Sequence, residues 1–156
     1  MTRFNKAFGE KYENAVSQIR TRTFTFGGYE FKVRLQLSAE TEAMYKRIAE
    51  IDDTELQARV LKMTAALRES PPEGVEITDT DVIVNGRSTR EVAMSIMLME
   101  QRITENFRLL VPVEGTLDDL TYAEIEAEFP LPTQLEMLDA ILDVVQPGYK
   151  DARKNS

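Results

Sequence analysis

Residues 23–37, which read TFTFGGYEFKVRLQL, contain the feature that most restricts how this chain can fold. Apolar and polar residues alternate on both sides of Gly27-Gly28, and a period of two is typical of a β-strand with one buried face. Two glycines between such runs favour a two-residue hairpin turn, because glycine adopts positive φ without steric cost. The pattern predicts an antiparallel hairpin in which Phe24 faces Phe31 and Phe26 faces Tyr29.

The predicted hairpin has one apolar face and one polar, mainly basic face. The apolar face consists of Phe24, Phe26, Tyr29, Phe31, Val33, Leu35 and Leu37. An isolated two-stranded hairpin is only marginally stable in water, so this face requires a helix or another chain against it. The edges of the hairpin are candidates for pairing with a further strand.

Helical periodicity and helix-start signals cover most of the remaining chain. The sequence predicts a short helix with Phe8, Tyr12 and Ile19 on one face, and a helix with Ser38 as its N-cap. Capping boxes are predicted at Thr54–Gln57 and Ser88–Glu91. The second box opens the longest predicted helix, whose apolar stripe is Val92, Ile96, Met99, Ile103, Phe107 and Leu110.

The stretch Glu73–Gly86 has two interpretations, a second small hairpin or a loop with strand character. The predicted fold class is α+β, with an N-terminal β-hairpin packed on or beside a mainly helical domain. We expect a single domain over residues 1–150, with the hairpin at about 20–37 and the helical body at about 38–146. A polar C-terminal tail at 147–156 follows.

The composition argues against catalysis and against metal binding. The chain contains no cysteine and no histidine, which removes thiolate ligands, disulfides and the commonest general base. The adjacent carboxylates Asp52-Asp53 and Asp118-Asp119 point apart, and Asp79–Gly86 lacks the ligand spacing of a calcium loop. We therefore predict no enzymatic activity, no catalytic residue, no cofactor and no metal.

Membrane and nucleic-acid partners are also not expected. No apolar run approaches the roughly 18 residues that a membrane span requires, and the N-terminus lacks the apolar core of a signal peptide. We expect a soluble, cytoplasmic protein. The net charge is −8, and no Lys or Arg occurs between Leu109 and Tyr149 while nine Asp or Glu residues do. The negative electrostatic potential of these acidic residues repels the phosphate backbone of a nucleic acid.

Two apolar surfaces are candidates for binding a protein partner. Met94 and Met97 lie beside the main stripe of the longest predicted helix, and methionine adapts to irregular apolar partners. The C-terminal helix has a wide apolar arc that includes Met137, Leu138 and Leu142 and is flanked only by acids. This arc fits a helix-in-groove contact with a basic partner, and it equally fits packing on the hairpin of the same chain.

The segment TFTFGGYEFKVRLQLSAETEAMYKRI, followed by capped helices, resembles the tail assembly chaperones of long-tailed bacteriophages in their short form. The resemblance implies a protein that keeps the tape measure protein soluble and helps recruit tail tube protein in the host cytoplasm. It also implies absence from the mature virion and formation of a homo-oligomer.

Within that resemblance, side-chain chemistry suggests two groups of contact residues. The hairpin residues are candidates for self-association: Phe24, Phe26, Gly27, Gly28, Tyr29 and Phe31. The candidates for binding the tape measure protein are Met94, Met97, Met137, Leu138 and Leu142.

Three alternative functions also fit the sequence. A structural virion subunit, such as a head–tail connector or tail terminator, would use an edge-pairing hairpin to form rings. A small acidic inhibitor protein would use residues 109–149 to imitate phosphate spacing. An enzyme that relies on carboxylates alone is the third alternative.

Overall fold

The computed structural model describes residues 2–146, and over this range the chain forms seven helices and two small antiparallel sheets. The class is α+β, as the sequence predicts. The predicted tail at 147–156 lies outside the described residues. In chain order the elements are α1 (Arg3–Phe8), α2 (Glu10–Ile19), β1 (Thr21–Phe26), β2 (Tyr29–Arg34), α3 (Ser38–Ala49), α4 (Asp53–Glu69), β3 (Val75–Ile77), β4 (Val82–Val84), β5 (Arg87–Ser88), α5 (Thr89–Phe107), α6 (Tyr122–Glu128) and α7 (Leu131–Val145).

The chain divides into two compact units. Unit 1 takes in the described parts of Met1–Glu42 and Ile103–Ser156, and unit 2 is Ala43–Arg102. The single domain expected over residues 1–150 stays a prediction.

Unit 1 is built around the β1–β2 hairpin and α7. The register is the predicted one, with Phe24 opposite Phe31 and Phe26 opposite Tyr29. Helix α7 packs against both strands. The buried apolar residues of this unit are Val33, Ile103, Phe107, Leu109, Ile125, Met137, Leu138, Ile141 and Leu142.

Helix α6 is joined to α7 by a buried amide. The side chain of Gln134 donates to the Phe129 carbonyl at 2.8 Å and accepts from the Tyr122 hydroxyl at 2.9 Å. Both of its polar ends are therefore paired, which removes the cost of burying them.

Unit 2 packs α4 against α5 beside the three-stranded sheet β3–β4–β5. Its core cluster is Leu56, Val60, Ala93 and Met97, with Ile51 packed against it. The Arg59 guanidinium also donates two hydrogen bonds to the Glu100 carboxylate, at 3.0 and 2.8 Å. The sheet shows that the hairpin interpretation of 73–86 is correct, and it adds β5, which pairs with β4.

The start of α4 differs from the prediction. The side chain of Asp52, not Thr54, caps this helix by accepting from the Glu55 amide at 2.9 Å. Both residue types are good caps. Ile51 packs against the core cluster that contains Leu56, as in a hydrophobic staple, and this contact places Asp52 at the cap.

The other predicted helix starts are closer to the structure. Ser88 caps α5, since its hydroxyl accepts from the Glu91 amide at 3.2 Å. Ser38 is the first residue of α3, so the predicted cap is displaced by one residue. The single N-terminal helix expected through Phe8 and Ile19 is two helices, because Gly9 adopts a φ of 78° between them.

Candidate functional site

The tip of the hairpin presents partly exposed aromatic side chains. Gly27 and Gly28 have φ values of 60° and 80°, which two-residue hairpin turns of the primed type require. The Phe24 and Phe31 rings stack at 5.6 Å, and Tyr29 meets Phe31 edge-on at 4.7 Å. Tyr29 is 59% exposed, whereas Phe24, Phe26 and Phe31 are half-buried. The structure therefore brings all six predicted hairpin residues to one end of one element.

A side-chain hydrogen bond from β1 links helix α7 to the hairpin. The Arg22 guanidinium donates to the Val144 carbonyl at 2.8 Å. Val144 lies in the last turn of α7, where carbonyls have no partner within the helix and the helix dipole is negative. This bond satisfies one of those carbonyls with a cation.

The β2 edge of the hairpin is covered by the chain that follows α5. The Arg34 amide donates to the Leu109 carbonyl at 2.8 Å, and the Val111 amide donates to the Lys32 carbonyl at 2.8 Å. Val33 and Leu110 form an antiparallel bridge between these bonds. This edge is therefore closed to a further strand between Lys32 and Arg34.

The β1 edge is open among residues 2–146. Since the backbone groups of Lys32 and Arg34 point away from β1, their partners Thr23 and Thr21 are non-hydrogen-bonded pairs of the ladder. The backbone groups of these two threonines consequently point to the outer edge of β1. No backbone bond from another described segment reaches them. An unpaired edge of this kind accepts a further strand.

The predicted partner-binding residues are mostly not at the surface. Met97 lies in the core cluster of unit 2. Met137, Leu138 and Leu142 are buried on the face of α7 in unit 1. These four side chains pack inside their own chain, so their role in binding a partner stays a prediction that their burial does not support. For α7, the structure shows the alternative of packing on its own hairpin.

Met94 is the one predicted partner residue with a partly free side chain, at 38% exposure. Its neighbour Met97 takes the core position that the periodicity gave to Met99, which is only half-buried. The buried stripe of α5 therefore begins one residue later than expected, at Ala93 rather than Val92. Met94 lies beside that stripe, on the side away from Val92.

Unit 2 has an apolar groove that sequence reasoning missed. It lies between α4, the β4–β5 turn and the first turn of α5, and its apolar lining is Met63, Leu67, Val84 and Val92. The rim is polar and includes Asn85 and Arg87. The Asn-Gly pair at 85–86 forms the turn with φ of 53° and 77°, and this dipeptide is a strong hairpin signal that could have located the groove wall.

The N-terminal arm, which we define as α1 and α2, is the second feature without an assigned role. Neither helix has a buried residue. The Phe4, Phe8 and Tyr12 rings form one cluster with centroid distances of 5.6 to 6.3 Å. The spacing of these residues predicts a shared face, but it contains no information about whether another element covers that face.

The Asp81 carboxylate in unit 2 is held by several hydrogen bonds. It accepts from the Val82 amide at 2.7 Å, the Arg90 amide at 2.9 Å and the Ser88 hydroxyl. Partial burial raises the pKa of this carboxyl, but these bonds and the charge of Arg90 outweigh it, so the pKa lies below its ordinary value. A carboxylate held in this way stays ionised near neutral pH, and its role is to fix the start of α5.

Within 2–146, no group of three or more Asp and Glu residues is arranged to hold a metal ion. None of the helices in this range is both long enough and apolar enough to cross a membrane.

No protein-family model, curated protein or solved structure matches the chain.

Proposed function

We propose that this protein is a non-enzymatic tail assembly chaperone of a long-tailed bacteriophage. It binds the tape measure protein, keeps it soluble and helps recruit tail tube subunits in the host cytoplasm. The observation that carries the proposal is the aromatic hairpin with its Gly27-Gly28 turn, followed within a few residues by the capped helix α3. This is the arrangement on which the resemblance rests.

The surface best suited to the tape measure protein is the groove of unit 2 and its surroundings. Met63 on α4 lines this groove and is exposed, and Leu61 and Met94 are further exposed apolar side chains of unit 2 outside the groove lining, in place of the four buried residues that the sequence suggested. An apolar helix of a partner fits a surface of this kind, and methionine adjusts to its shape. The hairpin tip at Tyr29 remains the candidate for contacts between chaperone subunits.

Co-expression with the tape measure protein tests this function. The tape measure protein should remain soluble in the presence of the wild-type chain and sediment in its absence. Met63→Ser combined with Met94→Ser should return most of it to the pellet. Val113→Ser is the matched control, because Val113 is exposed and lies in unit 1. A tape measure protein that sediments equally with and without the wild-type chain contradicts the proposal.

A structural virion subunit is the second candidate function. The observation that favours it is the open β1 edge, which allows strand pairing between neighbouring subunits of a ring. Mass spectrometry of purified virions separates the two candidates. The chaperone should be absent from the particles, whereas a connector or terminator should be present at a fixed copy number.

A further inference from the structure

The N-terminal arm is an apolar surface that no other described segment covers. Phe4 and Phe8 are 60% and 63% exposed, and Ile19 is exposed to a similar degree. Large apolar side chains that cluster at the surface of a soluble protein mark a site of interaction. The arm is therefore built to be covered by something outside the described part of its own chain.

The charge of the arm indicates what chemistry would cover it. Arg3 and Lys6 are the charged residues of α1, whereas α2 has Lys11 together with Glu10 and Glu13. The positive charge of the arm therefore lies mainly on α1, beside Phe4 and Phe8. An apolar surface flanked by acids complements this arm.

Such a surface is present on the same protein, on the outer face of α7. We define this face as Leu131, Leu135 and Glu136, together with Glu128 at the end of α6. The two leucines are one helical turn apart and are 43% and 38% exposed. Both glutamates are exposed, and no Lys or Arg occurs between Leu109 and Tyr149.

We propose that the N-terminal arm of one protomer docks on the outer face of α7 of a second copy. Phe4 and Phe8 would contact Leu131 and Leu135, while Arg3 and Lys6 would lie near Glu128 and Glu136. The contact is not made within one protomer, because both surfaces are exposed in the same chain.

The two docking surfaces differ, so the contact is heterologous. Each protomer offers one arm and one outer face, and association continues from copy to copy until the ends meet or the subunits run out. A symmetric contact between two arms would instead stop at a dimer. This difference makes the proposal testable by mixing variants.

The first experiment uses sedimentation velocity over a concentration series. The wild-type chain should form species larger than a dimer as its concentration rises. Phe4→Ser combined with Phe8→Ser should weaken association about tenfold or more, as for the loss of central aromatic contacts. Leu131→Gln combined with Leu135→Gln should do the same, while the control Val113→Ser should behave as wild type.

Mixing the two defective variants gives the decisive result. The arm variant keeps an intact outer face, and the outer-face variant keeps an intact arm, so equal amounts should form a 1:1 heterodimer through this contact. An outer-face variant that associates as strongly as the wild type overturns the proposal, because its association does not use the outer face of α7. Circular dichroism of each variant checks that its helix content is that of the wild type.

Charge reversal supplies a second test that leaves the apolar contacts intact. Arg3→Glu with Lys6→Glu should weaken association, and Glu128→Lys with Glu136→Lys should weaken it as well. Mixing these two reversed variants should restore a heterodimer.

Two results would overturn the proposal outright. One is a wild-type chain that stays monomeric up to about 100 μM, the range of weak specific contacts. The other is binding of the arm to vesicles of anionic lipid, lost in the Phe4→Ser and Phe8→Ser variant, without any self-association.

Discussion

Helix α7 and the N-terminal arm both have an apolar face, but within the described residues only the face of α7 is buried. Helix α7 has five buried residues and packs on the hairpin, whereas α1 and α2 have none. Sequence analysis left the cover of both faces open, because the arc of α7 fitted either a partner or the hairpin of the same chain, and the N-terminal pattern predicted only a short helix with one apolar face. An amphipathic pattern identifies a helix face that must be covered, but it does not identify what covers that face.

Hydrogen exchange should show the largest difference between the two regions. At low protein concentration, the amides of α7 should exchange at least about a thousandfold more slowly than those of α1, relative to unstructured peptides. The reason is that α7 opens only with the core of unit 1, while α1 can open alone. Mass spectrometry after exchange and proteolysis measures the protection of these amides. Similar protection in both helices would contradict the expected difference.

The next largest difference should be in the free energy of unfolding that is lost when one side chain in each region is truncated. Ile141→Ala in α7 should lower the free energy of unfolding by about 2–5 kcal/mol, because it leaves a cavity at a fully buried site. Phe8→Ala in the arm should change it by less than about 0.5 kcal/mol, since the ring is exposed. Urea denaturation at a concentration where the chain is monomeric checks both, and equal losses would contradict the assignment.

Loss of the bond between β1 and α7 should have a smaller effect. Arg22→Ala removes the guanidinium that donates to the Val144 carbonyl, and should cost about 0.5–1 kcal/mol. Lys32→Ala is the matched control, because Lys32 is exposed and contributes its backbone carbonyl rather than its side chain. If the two variants have the same urea midpoint, the bond does not help to hold α7 in place.

The smallest expected effect concerns the attachment of α2. Glu40 accepts from the Leu37 amide at 3.1 Å and from the Arg20 guanidinium at 2.9 Å, and Arg20 is the C-cap residue of α2. The Leu37 bond, and then the Arg20 charge, lower the pKa of the Glu40 carboxyl despite partial burial that raises it. The unfolded carboxyl therefore takes up its proton at a higher pH than the folded one.

The stabilisation from Glu40 should thus be complete above its ordinary pKa of 4.5 and should be lost as the pH falls through the lower value of the folded state. Glu40→Gln mimics the protonated side chain, so wild type and variant should differ at pH 7 and converge below pH 4.5. Thermal unfolding at several pH values measures the difference. A difference that does not change with pH would show that Glu40 does not titrate in this way.

The features that sequence analysis predicted correctly depend on near neighbours in the chain. The hairpin follows from alternation and from two glycines, and its register is confirmed residue by residue. The Asn85-Gly86 turn is a local signal of the same kind, although sequence analysis left 73–86 open between a hairpin and a loop, and the pairing of β3 with β4 decides for the hairpin. The class α+β is confirmed on the same local grounds.

The missed features depend on contacts between distant residues. Asp52 and Thr54 are both acceptable caps, and the packing of Ile51 against the core selects the first. Met97 and Met99 are two positions apart on one helix, and the approach of α4 buries Met97. The same holds for the candidate site, since four predicted partner residues are covered by elements far away in the chain.

The local chemistry of the chain therefore determines its turns, strand alternation and helix starts, because each involves groups only a few residues apart. Tertiary structure alone decides which apolar faces are covered. Arg22 and Val144, which join β1 to α7, are 122 positions apart. Burial depends on contacts between residues that are far apart in the sequence. The periodicity of a single helix therefore does not reveal which of its residues are buried.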